Sequence, residues 1–137
     1  IMKRAVLLVG HGSKLAGSNT ALEQVIGALR KQDPATFFQV AFLELQSPHI
    51  LEGIELCLHQ GADEVVVVPY FVQTGRHVVE DIPRIVAEAK ARFPEKNILL
   101  AQYLAFDSRI VSVVVDRIRE AQTSLKTVSC KVNESNR

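Results

Sequence analysis

Two histidines and a glutamate follow three segments whose apolar runs are typical of buried strands. His11 lies two residues past the first segment, Glu44 one residue past the second, and His77 a short loop past the third. Parallel strands end at one edge of a sheet, with neighbours about 4.8 Å apart, so we expect the three side chains to converge. Two imidazoles and a carboxylate suit a divalent transition metal that keeps open coordination positions. Capping of its own loop is the alternative role for Glu44.

Glycines and basic residues accompany the two histidines. The segment GHGS (10–13) surrounds His11 with glycines, which let the backbone turn sharply and let a large ligand approach. The segment TGRH (74–77) repeats this arrangement before His77. Three basic side chains near the same edge would together favour an anionic ligand. The expected substrate-binding residues are Gly12, Ser13, Lys14, Gly75, Arg76 and Arg84.

The elements that must position these residues alternate between strands and helices. Apolar runs predict strands over 5–9, 37–43, 64–71 and 98–103. Helical spacing predicts helices over 18–31, 49–60, 78–93 and 107–121. This order predicts an α/β fold, a single-lobe doubly wound parallel sheet of four strands with helices on both faces. In the strand order 2-1-3-4, His11 would lie between Glu44 and His77.

Composition limits the other classes of function. The chain has 137 residues and a net charge of +1, which gives no argument for binding nucleic acid or an anionic membrane. Its apolar runs are too short to span a bilayer. We expect residues 1–122 to form one domain and residues 123–137 to form a polar tail that is frayed or ordered by a partner. Cys57 and Cys130 lack the spacing of a metal site, Cys57 is expected to be a buried thiol, and a cytoplasmic location is the simplest reading.

Three segments together resemble a known family. LLVGHGSK (7–14), LELQSP (43–48) and PYFVQTGRHVVEDIP (69–83) are similar to the short CbiX-type sirohydrochlorin chelatases, relatives of the class II chelatases. The resemblance covers roughly residues 3–120 and implies a flavodoxin-like lobe, one half of the longer chelatases. It implies insertion of Co(II) or Fe(II) into sirohydrochlorin, in cobalamin or sirohaem biosynthesis.

The same resemblance implies roles and partners. His11 and His77 would bind the metal and assist deprotonation, and Glu44 would take the position of a metal-site carboxylate. The metal is then a substrate, with no tightly bound cofactor, and Ni(II) also suits nitrogen and oxygen ligands. A homodimer is expected, because a second copy would complete the cleft of this single lobe.

Two other functions are compatible with parts of this pattern. A non-catalytic carrier of metal or tetrapyrrole would use the same residues. A histidine phosphatase also has a His-Gly pair after its first strand, but it requires an arginine immediately before that histidine, where this chain has Gly10.

Overall fold

The computed structural model describes residues 2–135, apart from the side chains of His77 and of residues 125–135. The chain forms two compact units, Ile1–Ala105 and Phe106–Arg137. The first unit contains β1 (Arg4–Gly10), α1 (Thr20–Gln32), β2 (Phe37–Phe42), α2 (Ile50–His59), β3 (Glu64–Pro69), a π-helical turn (His77–Asp81), α3 (Ile82–Arg92) and β4 (Asn97–Leu100). The second unit contains α4 (Ser108–Ser135).

The four strands form one sheet in the order β2-β1-β3-β4, and every pair is parallel. Val9 near the end of β1 is in register with Ala41 of β2 and Pro69 of β3. The predicted α/β class, the strand order and the shared carboxyl edge are therefore confirmed. That edge carries the loops that follow β1, β2 and β3.

Side chains of β1 alternate between two hydrophobic cores, one on each face of the sheet. Leu7 and Val9 are fully buried on the face that α2 and α3 cover. Leu8 is buried on the opposite face, against Leu22 and Ile26 of α1. Complete burial of an aliphatic side chain of this size contributes about 1.5–3 kcal/mol to stability. The two cores hold the carboxyl ends of β1 and β2 in fixed register beneath the loops.

Cys57 belongs to the first of these cores. Its side chain is fully buried on α2, as the sequence predicts. Burial raises the pKa of its thiol to about 12, because the thiolate would lose its hydration.

The predicted third helix differs from the structure at its start. The sequence predicts one helix over 78–93, whereas a π-helical turn from His77 to Asp81 precedes the regular helix α3. Pro83 lies in the first turn of α3 and has no N–H to donate to the carbonyl of Val79. The third strand ends at Pro69 and the fourth at Leu100, both earlier than predicted.

The fourth helix is also longer than predicted. Helix α4 continues to Ser135, although we expected it to end near residue 121 and to be followed by a tail that is frayed or ordered by a partner. Apolar residues recur at helical spacing beyond residue 121, at Leu125, Val128 and Val132, which explains why the helix continues. Residues 136 and 137 of the predicted tail lie outside the described residues. The assignment of residues 1–122 as the functional domain stays a prediction.

Asp107 caps the start of α4. Its Oδ1 accepts a hydrogen bond from the backbone N–H of Arg109. Hydrogen bonds from the Arg109 side chain hold the pKa of the Asp107 carboxyl well below its usual range. Within residues 2–135, no helix combines the length and the apolar character of a membrane span.

Candidate metal site

His11 and Glu44 meet at the carboxyl edge of the sheet. The Nε2 atom of His11 lies 3.0 Å from the Oε1 atom of Glu44. The side chains are 52% and 48% exposed, so both contact solvent and both are accessible to a ligand. This pair brings together two of the three residues that the sequence predicts as metal ligands.

Backbone hydrogen bonds continue the pairing of β1 with β2 beyond the strands. The N–H of Leu43 donates to the carbonyl of Gly10 at 3.0 Å, and the N–H of Glu44 donates to the carbonyl of His11 at 3.2 Å. These bonds fix the backbone of His11 relative to that of Glu44. The packed sheet therefore determines where the imidazole and the carboxylate meet.

Gly12 makes this close approach of the two loops possible. Its φ is +98°, which side chains disfavour, and a Cβ atom there would lie 1.8 Å from the carbonyl oxygen of Glu44. No side chain fits at this position without moving the loop that carries Glu44. The glycine that follows His11 is therefore part of the site geometry.

The spacing of the His11–Glu44 pair suits shared coordination of one ion. First-row divalent metals bind imidazole nitrogen and carboxylate oxygen at about 2.1 Å. Two such ligands at a right angle around one ion would lie about 3.0 Å apart. The two atoms could bind the ion with little movement, and the exposed side would keep coordination positions open.

His77 is the first residue of the π-helical turn, which follows the loop after β3. Its side chain lies outside the described part of the structure. Among the described side chains, no three from histidine, cysteine, aspartate and glutamate form a metal-binding group. The role of His77 as a third ligand therefore stays a prediction. Short π-helical segments occur frequently at functional sites, which agrees with that prediction.

The predicted basic residues are exposed. Arg76 makes a long ion pair with Glu80, and Arg84 makes one with Asp81, each at 3.9 Å. Exposed pairs of this kind contribute little, so an anionic ligand could replace them. Lys14 is exposed in the loop after His11, and Gly75 is exposed in the loop before His77.

A cavity of about 310 Å³ lies beside His11. The loop after β1 forms one side of it, and the first residues after β3 form the other. Gly12 and Ser13, both predicted to bind substrate, form part of its wall. Tyr70 and Phe71 supply aromatic surface to the same cavity. Aromatic walls beside the His11–Glu44 pair can accommodate part of an organic ligand.

Sequence reasoning missed one residue at this edge, Gln46. Its Oε1 accepts hydrogen bonds from the N–H of Ser13 at 2.8 Å and from the Nδ2 of Asn19 at 2.9 Å. Asn19 stands at the N-cap position of α1, but its side chain makes no capping hydrogen bond. No local signal in the sequence marks Gln46, because the loop after β2 is not extended and Leu45 has a φ of +69°.

Comparison with known proteins agrees with this geometry. A family profile described as CbiX matches residues 5–121. The chain belongs to the CbiX family. The predicted resemblance, which covers residues 3–120, is therefore confirmed. Two of the matching segments carry His11 and Glu44.

Individual CbiX relatives include chelatases for two metals. The chain is 35% identical to a sirohydrochlorin ferrochelatase of Priestia megaterium over 116 residues, which cover 85% of this chain and 44% of that protein. It is 31% identical to a sirohydrochlorin cobaltochelatase of Methanopyrus kandleri, covering 85% of this chain and 96% of that protein.

A solved structure matches the fold of this CbiX-family chain. The sirohydrochlorin chelatase SirB from Bacillus subtilis subspecies spizizenii, in complex with cobalt, superposes with a TM-score of 0.80 at 34% identity. The match covers 87% of this chain and 51% of SirB. The chain thus spans about half the length of SirB and of the Priestia ferrochelatase.

Proposed function

We propose that this chain is a sirohydrochlorin chelatase that inserts Co(II) or Fe(II) into the tetrapyrrole. The observation that carries the proposal is the His11–Glu44 pair, whose 3.0 Å spacing suits one divalent ion at the carboxyl edge. The metal is a substrate in this reaction, not a resident cofactor. Nitrogen and oxygen ligands hold such ions without the strong grip of thiolates, so the ion can be passed on.

The reaction needs groups that take protons as well as groups that hold metal. Metallation removes two pyrrole N–H protons and strips water from the ion. Imidazole and carboxylate can each accept a proton near neutral pH. We assign metal binding and proton acceptance to His11 and Glu44, with His77 as the further ligand and base.

The surface around the pair supports a large, flat, acidic substrate. Four apolar side chains at this edge are more than half exposed, a pattern that suits contact with a macrocycle. Three basic side chains near the same edge suit its carboxylates. The apolar residues are Leu15, Leu45, Val72 and Val79, and the basic residues are Lys14, Arg76 and Arg84.

We also propose that two copies associate, because one lobe offers only one wall for a macrocycle. The chain spans 44% of the Priestia ferrochelatase and 51% of SirB, which leaves room there for a second lobe. Sedimentation velocity at assay concentration should detect a dimer. A fully active monomer would contradict this part of the proposal. A cytoplasmic location and a place in cobalamin or sirohaem biosynthesis complete the proposed function.

Metallation can be followed in anaerobic mixtures of sirohydrochlorin and Co(II), since insertion of the metal changes the absorption spectrum of the ring. The wild-type chain should accelerate the change, and His11→Ala should slow it by about 10²–10⁴-fold. His59→Ala is the matched control, because His59 is an exposed residue at the other end of α2. A chain that binds both substrates without accelerating metallation would be a carrier instead.

A further inference from the structure

The loop that carries His11 has little packing of its own. It connects β1 to α1, and Lys14, Leu15, Ala16, Gly17 and Ser18 within it are all exposed. Gly12 and Gly17 both have positive φ values. An exposed, glycine-containing loop of this kind belongs to the least stable parts of a fold, so its conformation must be held by contacts from elsewhere.

The loop that carries Glu44 is closed at its base. The N–H of Phe42, the last residue of β2, donates to the carbonyl of Pro48 at 2.9 Å. Phe42 and His49 form an isolated parallel bridge at the same point. Residues 43–48 therefore leave the sheet and return to it within a few residues, and the core beneath β2 anchors both ends.

Gln46 projects from this anchored loop to the loop of His11. Its Oε1 receives the backbone N–H of Ser13 at 2.8 Å and the Nδ2 of Asn19 at 2.9 Å. Because a backbone N–H can only donate, the side-chain oxygen of Gln46 must face Ser13. Asn19 must then present its amide group to the same oxygen. A single acceptor atom thus ties both ends of segment 13–19.

We propose that Gln46 is a positioning residue, which holds the His11 imidazole at ligation distance from Glu44 by anchoring segment 13–19. The inference rests on the proposed function and adds a residue to it. Gln46 need not touch the metal, because its effect passes through the backbone of Ser13, two residues from His11. The described geometry requires an acceptor at this point, not an amide as such.

The test compares two substitutions at this position. Gln46→Met keeps the length of the side chain but removes the acceptor, whereas Gln46→Glu keeps an acceptor oxygen. We expect Gln46→Met to raise the Kd for Co(II), measured by titration calorimetry without tetrapyrrole, by about tenfold. Gln46→Glu should bind Co(II) at least as tightly as the wild type. Gln24→Met, at an exposed position of α1, is the matched control and should leave the Kd unchanged.

Steady-state kinetics separate positioning from a general loss of structure. In Gln46→Met the ligands themselves are intact, so saturating Co(II) should restore kcat while the KM for Co(II) stays high. A lowered kcat with an unchanged KM would overturn the inference, as would a wild-type Kd in Gln46→Met. Equal weakening in Gln46→Glu and Gln46→Met would overturn the role of the acceptor atom.

A second variant tests the hydrogen bond from Asn19 to Gln46. It also replaces Gln46→Met in the test if that variant does not fold. Asn19→Asp replaces the donor by a carboxylate that repels the Gln46 oxygen, so it should also raise the Kd for Co(II). An unchanged Kd in that variant would overturn the tie at Asn19. The proposed function fails on a different result, the absence of metallation by the wild-type chain.

Discussion

The Nε2 atom of His11 and the Oε1 atom of Glu44 lie 3.0 Å apart, although the two residues follow different strands. Parallel pairing of β1 with β2 creates this contact, since the last pair in register is Gly10 with Phe42. Both side chains then stand above the same edge of the sheet. The contact links the packing of the core to the chemistry proposed for the site.

Co(II) affinity in a double-mutant cycle tests whether one ion uses both side chains. His11→Ala and Glu44→Gln should each raise the Kd for Co(II) by at least about tenfold. If one ion bridges the pair, the double variant should be little worse than either single variant, because the remaining ligand no longer completes a site. Calorimetric titration of the four proteins gives the coupling. Losses that add would indicate two independent sites.

Two glycines in the loop of His11 allow the effect of backbone strain to be measured apart from the effect of close approach to Glu44. Gly12 and Gly17 have φ values of +98° and +79°, but only at Gly12 would a Cβ atom meet a neighbour, the Glu44 carbonyl at 1.8 Å. Gly17→Ala should therefore cost about 1–2 kcal/mol of stability, the usual cost of a left-handed residue. Gly12→Ala should cost more and should also weaken Co(II) binding.

Urea unfolding and Co(II) titration of these two variants provide the comparison. Gly17→Ala is the matched control, since the nearest atom to its added Cβ, the Oγ1 of Thr20, lies 4.0 Å away. Equal losses of stability in the two variants, with Co(II) binding retained in both, would show that the close approach of Gly12 to Glu44 has no effect on the site.

Much of the fold follows from the sequence because burial on both faces leaves a clear pattern. The valine-rich strand β3 and the apolar end of β1 are typical of strands inside a parallel sheet, and His11 and Glu44 follow the ends of β1 and β2. The meeting of these two side chains was therefore predictable. Their chemical roles, and that of His77, stay predictions.

Features that depend on distant contacts could not be predicted in the same way. Asn19 has the sequence context of a helix cap, yet its side chain binds Gln46, which follows another strand. The π-helical turn at His77 has the same apolar spacing as a regular helix start, so the spacing alone predicts one continuous helix over 78–93. Local sequence patterns identify helices and strands. Which hydrogen bond a side chain makes depends on residues that are distant in the sequence.

Replacing two helical glycines by alanine should change the stability of the fold in opposite directions. A Cβ atom at Gly53 of α2 would lie 2.7 Å from Leu7 and 2.9 Å from Ala41, because the helix packs directly on β1 and β2 there. Gly53→Ala should therefore destabilise the fold by about 1–3 kcal/mol. At Gly27 of α1 the added Cβ would meet no described atom within 4 Å beyond its chain neighbours and the backbone of its own helix. Gly27→Ala should stabilise the fold by about 0.5–1 kcal/mol, since alanine favours helix.

Urea unfolding of Gly53→Ala, Gly27→Ala and the wild type tests both predictions. The midpoint should fall in Gly53→Ala and rise in Gly27→Ala. Co(II) affinity should stay unchanged in Gly27→Ala, because Gly27 lies in α1 and not in the loop that carries His11. Stabilisation by Gly53→Ala would mean that α2 does not pack on the sheet as closely as described.

The buried thiol of Cys57 should make stability fall at alkaline pH. Burial raises its pKa to about 12, whereas an exposed thiol in the unfolded chain titrates at about 8.5. Below that lower value both states keep the proton, and the contribution to stability is complete. As pH rises from about 8.5 towards 12, only the unfolded state loses the proton, so the free energy of unfolding falls by up to about 1.4 kcal/mol per pH unit.

A Cys130→Ser background isolates this effect, since Cys57 is then the only cysteine in the chain. Urea unfolding at pH 8 and pH 10, under a reductant, should be compared with and without Cys57→Ala. The protein that keeps Cys57 should lose about 2 kcal/mol more between the two pH values than the alanine variant. Subtracting the variant removes the lysine and tyrosine titrations that both proteins share. An equal loss in both proteins would mean that the thiol at Cys57 ionises as easily in the folded state as in the unfolded chain.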